Sequence, residues 1–230
     1  MKGYTVIMAG VLAFLTGSGT TAFADILNLS TGLDSGGNLI TTDLGCDAHW
    51  SQTAGPAPAC AGSKAQAVQS NDLDWSRSWL ADGPDSDWIT SNATVWTNGN
   101  PLPTYQIQFY LSDTVGASFS GSWTIDDAGS ISLNGHQIGS LGIVSWGSLT
   151  PIGGTPSADL VAGLNTLSIS LSISDNFLEG VRFQGLVSGD GASFTAPVPE
   201  PSSLVLFAAV VAGLGIAALR RRRASVEQGC

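Results

Sequence analysis

Thr104-Tyr105-Gln106-Ile107-Gln108-Phe109-Tyr110-Leu111 puts Tyr105, Ile107, Phe109 and Leu111 on one side of an extended chain and mostly polar groups on the other. A period of two marks a strand with one buried face. The rhythm recurs: Ala117, Phe119, Gly121 and Trp123 alternate with Ser118, Ser120 and Ser122. Leu167, Ile169, Leu171 and Ile173 alternate with Ser168, Ser170, Ser172 and Ser174, and Val181, Phe183, Gly185 and Val187 repeat the pattern. Residues 25–197 hold no long stretch of 3.6-residue periodicity, and Gly, Asn, Asp and Pro separate the strand-like runs. One-sided strands must bury their apolar faces against a second layer, so an all-β antiparallel sandwich is expected. Residues 31–86 are less regular and read as long loops and short strands, whereas Asp87-Trp88-Ile89-Thr90 reads as strand. The body spans 25–187, and 188–197 reads as a polar linker.

Outside that body the chain changes character. Lys2, an apolar run over 6–15 and Ala22-Phe23-Ala24 before Asp25 have the order of a secretory signal peptide, which assigns residues 1–24 to export with a cut after Ala24. Residues 203–219 carry no charge and, as a helix, reach ~25 Å, the short end of what spans a membrane. Arg220, Arg221, Arg222 and Arg223 follow. Positive charge stays cytoplasmic, so both ends orient the body outward and leave 225–230 as a cytoplasmic tail. A plain tail anchor accounts for the span and the arginines but not for Pro199-Glu200-Pro201 directly before the span. Proline fixes φ and lacks an N–H, so the triplet stays extended beside the membrane.

Val198-Pro199-Glu200-Pro201, an apolar helix and an arginine cluster together resemble the PEP-CTERM sorting signal of Gram-negative bacteria that make extracellular polysaccharide. The resemblance covers 198–224. It implies that a membrane-embedded cysteine protease, exosortase, recognises Pro199, Glu200 and Pro201, removes the span and passes the body to the cell surface or matrix.

Residues 25–197 contain 16 acids against Lys64, Arg77 and Arg182, about −13, a balance hidden in the formal −10 of the whole chain by the basic targeting ends. Nucleic-acid binding rests on basic patches and is excluded. Cys46 and Cys60 are the cysteines of the body, and an oxidising compartment favours pairing them; Cys230 lies beyond the arginines. A zinc site is not expected, since no Cys-x-x-Cys exists and His49 and His136 are 87 residues apart.

Ser130-Ile131-Ser132-Leu133-Asn134-Gly135-His136-Gln137-Ile138-Gly139 reads as strand, type I′ turn, strand. Further on, Gly163-Leu164-Asn165-Thr166-Leu167 opens the next strand. This pair of elements resembles the galactose-binding-like jelly roll, over about 105–187. The resemblance implies that the Asn-Gly and Gly-x-Asn elements shape turns, and that a structural calcium is a candidate cofactor.

No Gly-x-Ser-x-Gly, His-Glu-x-x-His or Gly-x-x-x-x-Gly-Lys pattern occurs, and Asp126-Asp127 on one strand point to opposite faces, which does not suit a paired-carboxylate glycosidase. Trp75, Trp79, Trp88 and Trp96 fall within 22 residues. Trp88 and Trp96 read as core anchors. Trp75 and Trp79, flanked by Asp72, Asp74 and Arg77, are the candidates for exposure and sugar stacking. Asp82, Asp85 and Asp87 are the candidate calcium ligands, the alternative being solvated turn carboxylates. The sequons at Asn28 and Asn92 carry little meaning in a bacterial chain. The expectation is a noncatalytic exported protein, cut by exosortase, transiently in the inner membrane, associated with extracellular polysaccharide and a candidate carbohydrate binder. The rivals are a permanently membrane-anchored binding module and a secreted hydrolase with an unfamiliar site.

Overall fold

A computed structural model describes residues 24–42, 44–70, 79–93, 101–143, 145–154, 156–174 and 177–195. The expected signal peptide, the sorting signal with its span, and Trp75 and Trp96 lie outside the described residues. Among the described residues no helix is long and apolar enough to cross a membrane.

The alternating runs become strands at the expected places. Eleven strands are described: β1 Asp25–Asn28, β2 Cys46–Ala54, β3 Lys64–Val68, β4 Trp88–Thr90, β5 Thr104–Leu111, β6 Ser118–Asp126, β7 Ala128–Leu133, β8 His136–Leu141, β9 Thr150–Pro151, β10 Gly163–Ile173 and β11 Gly180–Gly189. Every pairing is antiparallel. The hydrogen-bonded order is β8-β7-β10-β5-β2-β3-β4-β11-β6-β9, with β1 added to β11. The two expected layers are therefore the arms of one curled sheet, joined by the short strands β3 and β4.

The curl is visible in the side chains. β2 and β11 are separated by two strands along the sheet, yet the rings of Trp50 and Phe183 lie 5.9 Å apart across the interior. Tyr105, Ile107, Phe109, Leu167 and Ile169 of one arm share a single core with Phe119, Trp123, Ile125, Val181 and Phe183 of the other. Burial of these faces supplies the driving force, about 1.5–3 kcal/mol for each large side chain taken out of water. Gly121 and Gly185 are cross-strand partners beneath Phe183, and a Cβ at either would collide with that ring. A second, smaller core gathers Val68, Trp79, Trp88, Ala93 and Leu178.

Two departures from the sequence reading concern strand ends. Ile173, expected inward, is 44% exposed because the β10–β7 register shifts between Leu171 and Ile173. Residues 188–195, read as linker, belong to the folded body. β11 runs on to Gly189, Ser193 forms an antiparallel bridge with Tyr110, and Phe194 stacks on His49 at 3.7 Å. A polar strand end and one docked phenyl ring leave no alternating pattern to read.

Candidate functional site

The Asn-Gly and Gly-x-Asn elements meet. Asn134 and Gly135 have φ of 52° and 83°, both positive as a type I′ turn requires, and close the β7–β8 hairpin. Asn134 Nδ2 donates to Asn165 Oδ1 at 2.8 Å, and Asn134 Oδ1 accepts from the Thr166 N–H at 2.8 Å. Asn165 is fully buried; its Oδ1 accepts from Val161 N and its Nδ2 donates to Val161 O and Gly163 O. Both amides are spent on holding turns, as the resemblance implied.

The acidic loop is folded around a cation supplied by the chain itself. Arg182 is 3% exposed on β11; its Nε donates to Ser86 Oγ at 2.9 Å and its Nη1 to Ala81 O at 2.5 Å. Gly83 lies so close that a Cβ there would strike the guanidinium. Asp82 accepts from the Ser70 N–H at 2.9 and 3.1 Å, and Asp85 accepts from Gln184 Nε2 at 3.1 Å. Asp87 is 4% exposed, and its Oδ1 has no hydrogen-bond partner among the described residues. Burial pushes the Asp87 carboxyl up to about 7, with the Asp82 charge adding to the rise and Arg182 opposing it. Among the described residues no group of three His, Cys, Asp or Glu side chains is placed to hold a metal ion. Asp82, Asp85 and Asp87 thus do not converge as a calcium ligand set, because each takes a different environment and Arg182 provides the local positive charge.

Trp79 is the second correction. It is buried, 6% exposed, stacks on Trp88 at 4.3 Å and 26°, and donates its indole N–H to Asp126 Oδ2 at 2.6 Å. A ring packed on one face with its polar edge already bonded is not a platform for a sugar. The flanking acids suggested exposure, but the acceptor comes from β6, 47 residues away. Trp88 is fully buried as expected.

Cys46 and Cys60 form the expected disulfide, with Sγ–Sγ 1.99 Å and Cα–Cα 5.8 Å, pinning the start of β2 to the chain before the 3-10 turn at Ala61–Ser63. Asp47, next to it, is fully buried and accepts from the N–H groups of Gly32, His49 and Trp50 at 2.7–2.8 Å. It sews the loop after β1 to β2, and nothing in its local sequence announced that.

The outer faces of the two arms are polar. On one, the registers align Ser51 of β2, Gln106 of β5, Ser168 of β10, Ser132 of β7 and Gln137 of β8 in a single row. At about 4.8 Å between strands the row runs ~19 Å. It opens at β2 and β5 into a groove of about 590 Å³, whose lining includes His49, Ser51, Lys64, Gln106, Gln108 and Phe194. Lys64 Nζ donates to His49 O at 3.3 Å. Burial lowers the Lys64 ammonium from its ordinary value, with the Asp47 charge opposing, and burial followed by the Lys64 charge lowers His49. The other arm has a groove of about 440 Å³ beside Ser120, Ser122 and Gln184, where Asp85 intrudes. Sequence reasoning treated these serines and glutamines only as the solvent side of strands.

Residues 197–223 match the PEP-CTERM protein-sorting motif. No curated protein matches the chain. Among solved structures, a family 35 carbohydrate-binding module from an environmental isolate is similar at 15% identity and a TM-score of 0.30, over 52% of this chain and 85% of that one. A likeness that slight transfers neither fold nor ligand.

Proposed function

We propose that this is an exported, noncatalytic protein of the cell surface or extracellular matrix. Residues 1–24 direct export, 203–219 hold the chain in the inner membrane, and Arg220 to Arg223 stay cytoplasmic. Exosortase then cuts at or near Pro199-Glu200-Pro201 and frees the body among extracellular polysaccharide. The observation that carries this reading is the sorting-motif match at 197–223, which coincides with the proline triplet, the apolar run and the arginines. The Cys46–Cys60 bridge suits an oxidising compartment outside the cytoplasm. The interlocked Asn134 and Asn165 turns support a galactose-binding-like jelly roll as the finer description of the curled sheet. No catalytic pattern stands in the sequence, so the body is assigned a binding or structural role.

The test is mass spectrometry of an epitope-tagged chain collected beyond the inner membrane, in cells with and without the exosortase. With the protease present, the recovered protein ends near residues 198–201. Without it, the full-length chain accumulates in the inner membrane. Recovery of surface material with Arg220 to Arg223 still attached would establish the permanent anchor instead.

A further inference from the structure

We propose that the groove on the outer face of β2 and β5 binds an uncharged sugar chain. The proposal rests on the reading of the body as a protein placed among extracellular polysaccharide, and it names the surface and the ligand class.

Three observations converge on the groove. Its polar groups are available: the side chains of Ser51, Gln106 and Gln108 make no hydrogen bond to the described residues. Gln106 and Gln108 stand on the same face of β5, about 6.8 Å apart, and Ser51 lies directly across from Gln106. Each primary amide offers donors and acceptors together, which suits hydroxyl groups that also do both. The second observation is an apolar end wall, where Phe194 lies nearly parallel to His49 at 3.7 Å and 15°. Sugar rings pair apolar C–H faces with polar edges, and a groove with one aromatic wall and an amide floor offers both.

Charge selects the class of ligand. The body carries about −13, yet no carboxylate stands among the described residues that line this groove, so a cation finds no partner among them. A polyanion is repelled by the field of the body, and Lys64, the cation in the lining, is turned to the His49 carbonyl. An uncharged polyol meets neither obstacle. The row from Ser51 through Gln106, Ser168 and Ser132 to Gln137 continues the floor across five strands, so a chain of several sugars has a polar track to follow. The groove on the other arm lacks these features, because Gln184 is already bonded to Asp85 and Leu186 is 45% exposed.

Affinity gel electrophoresis of the full chain, purified in mild detergent, tests the site with dextran, galactomannan and a mixed-linkage β-glucan as neutral polymers and polygalacturonate as the acidic one. At least one neutral polymer retards the wild type, and Gln106→Ala/Gln108→Ala weakens that retardation tenfold or more with an unchanged thermal midpoint. Gln108→Ala alone, at an exposed position, weakens it severalfold, and Ser120→Ala on the opposite arm leaves it intact. Retardation by none of the neutral polymers, retardation by polygalacturonate alone, or full retention by the two glutamine variants overturns the proposal. Binding by the purified chain is independent of where a cell sends it, so this result and the sorting result fail separately.

Discussion

The arms built from β5, β6, β7, β10 and β11 and the stretch over residues 25–93 belong to the same sheet but are held together differently. In the arms the inward face is almost wholly apolar, and Tyr105, Ile107, Phe109, Leu167, Ile169, Val181 and Phe183 are each at most 1% exposed. Over 25–93 the interior is threaded with polar groups. Ten of the fifteen buried polar or charged residues that are described lie there, so that region depends on hydrogen bonds with defined partners as well as on area removed from water. The lesson is that small polar residues mean opposite things in the two regions: serine outside the arms marks the solvent side, whereas Thr31, Ser70 and Ser86 inside the loops are structural ties.

The comparison is broken most severely at Arg182, the residue of the arms that serves the loops. Arg182→Ala removes the cation around which residues 81–87 close and leaves Asp87 buried without its opposing charge; a loss of about 3–5 kcal/mol is expected in urea unfolding. Cys46→Ser comes next, at about 3 kcal/mol from the lost loop constraint, and reduction of the wild type with dithiothreitol should reproduce it. Asn165→Ala, in the arm region, strips the partners from Val161 and Asn134 and should cost about 2 kcal/mol, read from the same denaturant midpoints. If Asn165→Ala proves costlier than Arg182→Ala, the division between an apolar-held and a polar-held region is wrong.

A further effect is one of pH. Asp87 holds its proton up to about 7 when folded and, when unfolded, releases it near the ordinary 3.8. Between those values the folded state binds the extra proton, so this group's contribution to stability is present in acid and is lost as pH rises through 7. Asp87→Asn should therefore flatten the fall in thermal midpoint between pH 4 and pH 7.5 relative to the wild type. An unchanged profile would mean that the Asp87 carboxylate is solvated.

Legibility in the sequence followed the same division. The run 104–111 became β5 residue for residue, and the Asn134-Gly135 turn and the Cys46–Cys60 bridge stand as expected. Trp79 was misread because its neighbours in sequence are acids and arginine, while its neighbours in space are Trp88 and Asp126. Asp82, Asp85 and Asp87 were grouped by proximity along the chain, but their side chains turn to Ser70, to Gln184 and into the interior. The groove went unread because β2, whose Ala48, His49, Ser51 and Thr53 form part of it, has no clean alternation and its partner β5 is fifty residues distant.

Composition and period-two alternation by themselves determined an all-β antiparallel body, its acidity and the two cysteines it has to pair, while the sorting motif at its C-terminal side was read from a family resemblance of the linear string 198–224. Such features are written in local order, since one residue's face follows from its neighbour's and a targeting segment acts as a linear string. Only the tertiary structure decided that the two layers are one curled sheet, that an internal guanidinium organises the acidic loop, and that a groove without a carboxylate among its described lining residues opens on an acidic protein. Each of these depends on which strands lie side by side, and that is fixed by long-range pairing rather than by any local pattern.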